Sequence, residues 1–329
     1  AVAAGRSLEE AAPFELVDGL PVAADEPEEL RPAVGEVVAS RYLIRRLVGC
    51  GAIGRVYEAE QLDLSRRVAL KVLHPHLAED PFHKRRFYRE ARMASWLNQP
   101  GSVIVYDHGE WDGQIYIAME FLEGRSLEQI IYDEAPLAVA RSADLVLQIG
   151  DVLAEAHGLG VLHRDLKPAN IIVLPGPDGQ ERAKVVDFGM ALLLDHQRHG
   201  PRHGKEELLV GTPAYMPPEQ YLGEELDQRS DLYSLGVIFY EMLCGRLPFQ
   251  GGIAEYLVQV LHKDPLPPSK INPEVKLPNS LEQLVLWAMA KQPRDRPASV
   301  EEFSRVLRAI QAILRVQAGT GRKQSPPPP

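Results

Sequence analysis

Cysteine is scarce: the 329 residues hold only Cys50 and Cys244. Two thiols cannot build a disulfide framework, so stability must come from a packed core, and this cysteine usage fits a reducing, cytoplasmic setting. No run of about 18 uncharged apolar residues occurs, so no membrane span is expected in this chain. The basic excess of a general nucleic-acid binder is missing too. With a net charge of -10, the chain lacks the cationic surface that releases counterions from phosphates, and no nucleic-acid partner is expected. The first residues also lack a basic-then-apolar leader, which reads as a fragment or processed form and not as a secreted precursor.

What is present suits a substantial core. At 45% hydrophobic and 25% charged residues, the composition is that of a globular protein, and the length allows two lobes around a cleft. The chain centres on His163-Arg164-Asp165-Leu166-Lys167-Pro168-Ala169-Asn170, followed by Asp187-Phe188-Gly189. Asp165, Lys167, Asn170 and Asp187 put a base, a cation and two metal-capable oxygen groups into one loop and the turn after it. Phosphoryl transfer from a magnesium nucleotide requires such a set. Mg²⁺ takes a few protein oxygens and completes its shell with phosphate, so one carboxylate and one amide suffice. A polar loop bonded only to its own backbone is the bland alternative, but two such clusters at matching spacing are uncommon by accident.

Upstream, Gly49-Cys50-Gly51-Ala52-Ile53-Gly54-Arg55-Val56 is a glycine-rich turn. A dinucleotide fold would continue into a helix. Here Arg67 to Leu73 forms a second strand-like run, so the glycines join two strands of a hairpin. That arrangement makes a flap whose backbone N–H groups can approach phosphate oxygens, with Ile53 at the tip shielding them from water. Val68, Leu70 and Val72 share one strand face; Ala69, Lys71 and Leu73 share the other, which turns Lys71 toward the cleft. Val103 to Tyr106 and Gln114 to Met119 complete a small sheet, with Asp112-Gly113 as the hairpin turn. Leu145, Ile149, Val152, Leu153 and Ala156 recur at helical spacing, and the run from Ser230 to Cys244 is apolar on nearly every side, which predicts a buried helix.

These motifs resemble the catalytic domain of bacterial (Hanks-type) serine/threonine protein kinases over about Arg41 to Leu314. The resemblance implies a bilobal α+β fold, with a small, mostly antiparallel β-sheet lobe carrying one main helix and a larger helical lobe. It implies ATP and Mg²⁺ as cofactors, with Mn²⁺ as a substitute, protein substrates presenting Ser or Thr hydroxyls, and a signalling role. It leaves a homodimer open. By the same resemblance, Gly49, Cys50, Gly51, Ala52, Ile53, Gly54, Val56, Ala69, Lys71, Met119, Glu120 and Leu122 surround the nucleotide, and Asn170 and Asp187 hold the metal. Asp165 is the base and Lys167 neutralises the transferring group. Glu90 pairs Lys71, and Thr212 bridges Asp165 and Lys167. Asp231 anchors the catalytic loop, and Arg296 pairs with Glu219.

The expected domain map follows. Residues 1–40 are an acidic, proline-containing extension without a sustained apolar period, expected to lack order. Residues 41–121 form the small lobe and 122–316 the large one. Residues 317–329 are a Gly/Pro-rich tail or linker, a tether to whatever adjoins it. Two other functions compete. An inactive scaffold of the same fold should lack some charged roles, yet Lys71, Glu90, Asp165, Asn170 and Asp187 are all present. A small-molecule kinase should lack Thr212, Pro218-Glu219 and Arg296. His196, His199 and His203 lie in a Gly/Pro-rich stretch with no cysteine or paired carboxylate to complete a metal site.

One prediction concerns regulation. Arg164 beside Asp165 marks kinases whose activation loop is ordered by a phosphothreonine, yet the stretch from Asp187 to Glu219 contains no serine and only Thr212. Glu206 stands where relatives carry the phosphorylated residue, and Leu192 replaces the usual basic helper. A carboxylate contact is worth about 1.5–3 kcal/mol, short of the ~5.5 kcal/mol that switches a loop from 1:99 to 99:1, so leucine packing must add the rest. Phosphatase-treated enzyme should therefore keep full activity, while Glu206→Ala and Arg164→Ala each lower it with little additivity in phosphotransfer assays.

Overall fold

A computed structural model describes residues 32–51, 53–97, 99–176, 179–188 and 213–321. Strand β4 (Arg66–Leu73) is the spine of the smaller lobe, because its two faces are both apolar. Val68, Leu70 and Val72 join Tyr42, Ile44, Tyr57 and Tyr116 in one cluster, whereas Leu73 joins Leu77, Phe87, Ala91, Ile115 and Ile117 in another. The remaining strands are β1 (Val37–Val38), β2 (Tyr42–Cys50), β3 (Gly54–Gln61), β5 (Val105–Trp111) and β6 (Gln114–Glu120). They form one six-stranded sheet in the order β1-β2-β3-β4-β6-β5, antiparallel throughout. The β5–β6 turn has Asp112 at φ 49° and Gly113 at φ 75°, the left-handed pair that a two-residue hairpin needs. Helices α1 (Pro75–Ala78) and α2 (Pro81–Ala94) follow β4, and α2 presents Phe87 and Ala91 to the second cluster.

The expected extension ends earlier than its pattern predicts. Within residues 33–40, Val38 is buried, β1 pairs with β2, and Gly35 N–H donates to Ile44 O at 2.9 Å while Ile44 N–H returns a bond to Glu36 O at 2.9 Å. Residues 1–31 lie outside the described residues.

The larger lobe grows around two helices, α4 (Val139–Gly158) and α6 (Gln228–Cys244). Leu145, Ile149, Val152, Leu153 and Ala156 of α4 are all buried, and α6 is buried from Ser230 to Cys244 with Glu241 the one exception. Strand β7 (Arg125–Ser126) and helix α3 (Leu127–Glu134) precede α4, and β8 (Ile171–Pro175) and β9 (Glu181–Val185) lie between α4 and α6, with β7, β8 and β9 forming a second, three-stranded sheet. Helices α5 (Pro218–Leu222), α7 (Ile253–His262), α8 (Pro268–Ile271), α9 (Asn279–Ala288) and α10 (Val300–Gly321) complete the lobe. Helix α10 continues past residue 316, where the tail is expected to begin.

Arg296 and Glu219 lock the base of this lobe. Both are buried, at 3% and 2% exposure. Two guanidinium nitrogens reach the two Glu219 oxygens at 2.7 Å each, and the other donors meet Ala290 O at 2.7 Å, Arg229 O at 2.9 Å and Lys291 O at 3.0 Å. All five guanidinium N–H groups are thus engaged, so no donor is left uncompensated in the interior. Arg296→Met should lower stability by about 3–5 kcal/mol, and Arg296→Lys should recover only part of it because an ammonium has three donors and no planar fork. Urea midpoints at constant m-value check this.

Candidate active site

The catalytic loop is held from behind by one buried carboxylate. Asp231, in the first turn of α6, is 1% exposed. Its Oδ2 accepts the His163 N–H at 2.8 Å, its Oδ1 accepts the Arg164 N–H at 2.8 Å, and the His157 Nε2 lies 2.8 Å from Oδ2. Burial pushes the Asp231 carboxyl up, but His157, His163 and the backbone donors outweigh it and hold the group below the usual carboxylate range. Arg164, at φ 66°, occupies the left-handed region that a non-glycine residue seldom adopts, and the paired amide bonds fix it there.

From that anchor the loop delivers its functional groups. Lys167 Nζ lies 3.1 Å from Asp165 Oδ2, and Asn170 Nδ2 donates to Asp165 O at 2.8 Å and to its Oδ2 at 3.3 Å. Asn170 O in turn accepts the Val186 N–H at 3.0 Å, while the His163 Nε2 lies 3.1 Å from Val186 O and its ring packs on Phe188 with centroids 4.8 Å apart. Asp187 follows at φ 63°, a second left-handed non-glycine residue. Lys71 comes from the other lobe, with 6% exposure, and its Nζ donates to Asp187 Oδ1 at 2.7 Å. Burial raises the Asp187 pKa, but the Lys71 charge and hydrogen bond, with help from His163 and Lys167, bring it below the ordinary value.

The structure therefore brings Asp165, Lys167, Asn170, Asp187 and Lys71 to one cleft. The partner described for Lys71 is Asp187, whereas the family resemblance implies Glu90. Glu90 falls on α2, and its side chain lies outside the described residues, as do Ala52, Gly189, Thr212, Glu206, Leu192 and the three loop histidines.

The flap is made of the end of β2 and the start of β3. Its third glycine has a reason unrelated to any ligand: a Cβ on Gly54 would stand 2.2 Å from Val72 O, whereas one on Gly49 would meet nothing within 4 Å. Gly51 N–H donates to Gly54 O at 2.9 Å, closing the tip, and Cys50 is exposed. Ile53, expected as a water shield, packs against the Leu73 and Phe87 cluster, because its backbone O accepts the His74 N–H at 3.0 Å and draws the tip inward. Val56 is opposite Lys71 in the ladder, and Ala69 is opposite Met119. Glu120 and the half-buried Leu122 follow at the link between lobes. Unforeseen in the sequence is the Glu120 side chain, whose Oε1 accepts Lys184 Nζ at 2.6 Å and Ile104 N–H at 2.8 Å.

The two-lobed fold with its glycine hairpin, cleft lysine and this loop agrees with the comparison against known families. The protein kinase domain model matches residues 42–307. The chain belongs to the protein kinase domain family. Its bacterial serine/threonine branch supplies the similar sequences. Serine/threonine-protein kinase pkn3 of Myxococcus xanthus is 43% identical over 294 residues, 89% of this chain and 54% of that protein. Serine/threonine-protein kinase PknA of Mycobacterium tuberculosis is 35% identical over 304 residues, 91% of this chain and 67% of that protein. The chain thus spans about half the length of the Myxococcus relative. Among solved structures, the Mycobacterium tuberculosis PknI kinase domain superposes with a TM-score of 0.64 at 30% identity, covering 84% of this chain and 98% of that one. Among the described residues no helix is long and apolar enough to cross a membrane.

The Asp231 anchor makes the kinase domain's acid stability predictable. A carboxyl held below its unfolded value of about 3.9 contributes stability that is complete above that pH and is lost as pH falls through the depressed folded value. Asp231→Asn should therefore destabilise the domain strongly at pH 7, and the gap from wild type should shrink as pH drops below about 4. Urea titrations at pH 7 and pH 3 measure both gaps.

Proposed function

We propose that this domain transfers the γ-phosphoryl group of ATP to serine or threonine hydroxyls of proteins, and that the full-length protein uses it in signalling. The observation that carries the reading is the cleft itself, where Asp165 sits 3.1 Å from Lys167 and within hydrogen-bonding distance of Asn170, facing the Lys71–Asp187 pair. Asp165 would orient the incoming hydroxyl and take its proton as the new O–P bond forms and the bond to the leaving diphosphate oxygen breaks. Lys167 would offset charge on the group in flight, and Lys71, braced by Glu90, would hold the α- and β-phosphates. Thr212 would bridge Asp165 and Lys167 beside the hydroxyl. Little covalent chemistry falls to the protein, so positioning and preorganised charge supply most of the acceleration.

The donor set also fits the metal. The Asn170 amide nitrogen faces Asp165, which leaves its amide oxygen as an acceptor, and Asp187 spends only Oδ1 on Lys71. Those two oxygens suit a hard cation such as Mg²⁺ that completes its shell with phosphate and water. Bound there, the cation would neutralise phosphate charge. No cluster of three or more His, Cys, Asp or Glu able to hold a metal occurs among the described residues, and Mg²⁺ of this kind does not require one. Leu166-Lys167-Pro168 and Gly211-Thr212-Pro213 resemble the loops of serine/threonine rather than tyrosine kinases, which supports serine and threonine as acceptors. The scaffold alternative predicts no turnover.

Incubation with labelled ATP and a generic basic protein separates the two. Lys71→Met and Asp165→Asn should each lower phosphotransfer well beyond tenfold with the fold intact, a loss of more than ~1.4 kcal/mol of transition-state stabilisation. Nucleotide binding should suffer more from Lys71→Met. Asp187→Asn should be partly rescued by high Mg²⁺ or Mn²⁺. A loss under tenfold for Lys71→Met or Asp165→Asn would remove that residue from its role.

A further inference from the structure

We propose that Lys184 is a positioning residue for the nucleotide, acting through Glu120 to hold the inter-lobe link against the strand that leads to Asp187; this rests on the phosphotransfer reading above. Three chain segments meet at its ammonium. Lys184 lies on β9 of the larger lobe, and its Nζ donates to Glu120 Oε1 at 2.6 Å and to Ser102 O at 2.9 Å. Glu120 closes β6 of the smaller lobe, and its N–H donates to Ile104 O at 2.9 Å while Oε1 takes the Ile104 N–H at 2.8 Å.

The segment carrying Ser102 and Ile104 is itself bound to the larger lobe. Val185 N–H donates to Gly101 O at 2.8 Å, and Gln99 N–H donates to Glu155 Oε2 on α4 at 3.1 Å. Gly101 lies so close to α4 that a Cβ would stand 2.5 Å from the Val152 side chain. This segment is therefore a post fixed to the larger lobe, and Lys184 ties the link to that post. The ion pair is largely shielded, with side-chain exposures of 11% for Lys184 and 18% for Glu120, so salt screens it weakly.

The consequence is geometric. Lys184 precedes Asp187 by three residues, and Glu120 begins the stretch Glu120-Phe121-Leu122, whose backbone the family resemblance places at the adenine edge. One hydrogen-bonded pair thus relates the groups that meet opposite ends of a single nucleotide. Buried ion pairs add little net stability compared with apolar packing, but apolar packing lacks their directionality. The effect of losing this pair belongs in nucleotide affinity and lobe geometry, with chemistry at saturation largely spared.

The test uses Glu120→Gln/Lys184→Met, which removes both charges while glutamine keeps an acceptor for the Ile104 N–H, so that no uncompensated buried charge remains to unfold the domain. Binding of a fluorescent methylanthraniloyl-ATP and steady-state phosphorylation are measured together. Kd and KM for nucleotide should rise about fivefold or more, with kcat within about threefold of wild type. Lys184→Arg alone should retain part of the affinity. Spin labels at Leu64→Cys and Leu159→Cys, exposed positions on opposite lobes, in a Cys50→Ser background give a readout independent of catalysis. Their distance distribution in nucleotide-free protein should broaden in the paired variant. Unchanged distances with unchanged affinity in the folded double variant would overturn the proposal, as would a fall in kcat with KM unaltered. Broadened distances in a protein whose wild type phosphorylates nothing would uphold the tie while removing the phosphotransfer reading.

Discussion

The Asp231 carboxylate bears a full charge in the interior, and the loop that defines the site exists in its form because that charge has to be satisfied. Moving a carboxylate away from water is costly unless donors replace the lost hydration. Here the donors are the His157 ring and the amides of His163 and Arg164. Two of the three belong to the loop, so satisfying the charge and shaping the loop are one event. Arg164 can hold φ 66° because its amide is committed to Asp231. With the backbone bound on the helix side, the Asp165 side chain keeps 40% exposure, which a proton acceptor for an incoming hydroxyl needs.

The same constraint propagates to the metal-capable turn. Asn170 and His163 both grip the main chain of Val186, one at its N–H and the other at its carbonyl. Asp187 is the next residue, so its place is set by a loop that Asp231 has already set. Lys71 arrives independently, from a strand whose other face is packed into the smaller lobe. The attraction between Lys71 and Asp187 therefore acts between two separately built bodies. Its geometry depends on how those bodies are joined, which directs attention to the link at Glu120.

Much of this was legible because it is local or periodic. The α4 and α6 helices announce themselves through repeated apolar positions, the β5–β6 turn through Asp112-Gly113, and the cleft lysine through its place after the glycine turn. The misses have a common physical origin in contacts between distant segments. Two residues of β1 carry no period, and their order comes from pairing with β2 and from Val38. The acceptors of Arg296 lie at Glu219, Arg229, Ala290 and Lys291, a convergence that no local pattern displays. No local pattern singles out Lys184, and the family resemblance gives Glu120 only a place beside the nucleotide. Gly54 looks like a phosphate-binding glycine, yet the close approach of Val72 O demands it whatever binds nearby.

Asp231, Arg296 with Glu219, and Lys184 with Glu120 are all buried or nearly so, and each joins segments far apart in sequence. None is assigned contact with the transferring phosphoryl group. Apolar contacts among α4, α6, α9 and α10 can hold the lobe together while tolerating small shifts, since packing energy is spread over many weak contacts. Hydrogen-bonded charges have narrower geometric tolerance and lose much of their value when a partner moves. Phosphoryl transfer by positioning is sensitive at the scale of about 1 Å. The domain accordingly places its directional, desolvated interactions one step behind the cleft, where water cannot compete with them, and leaves Asp165, Lys167 and Asp187 in the cleft partly hydrated and free to change partners.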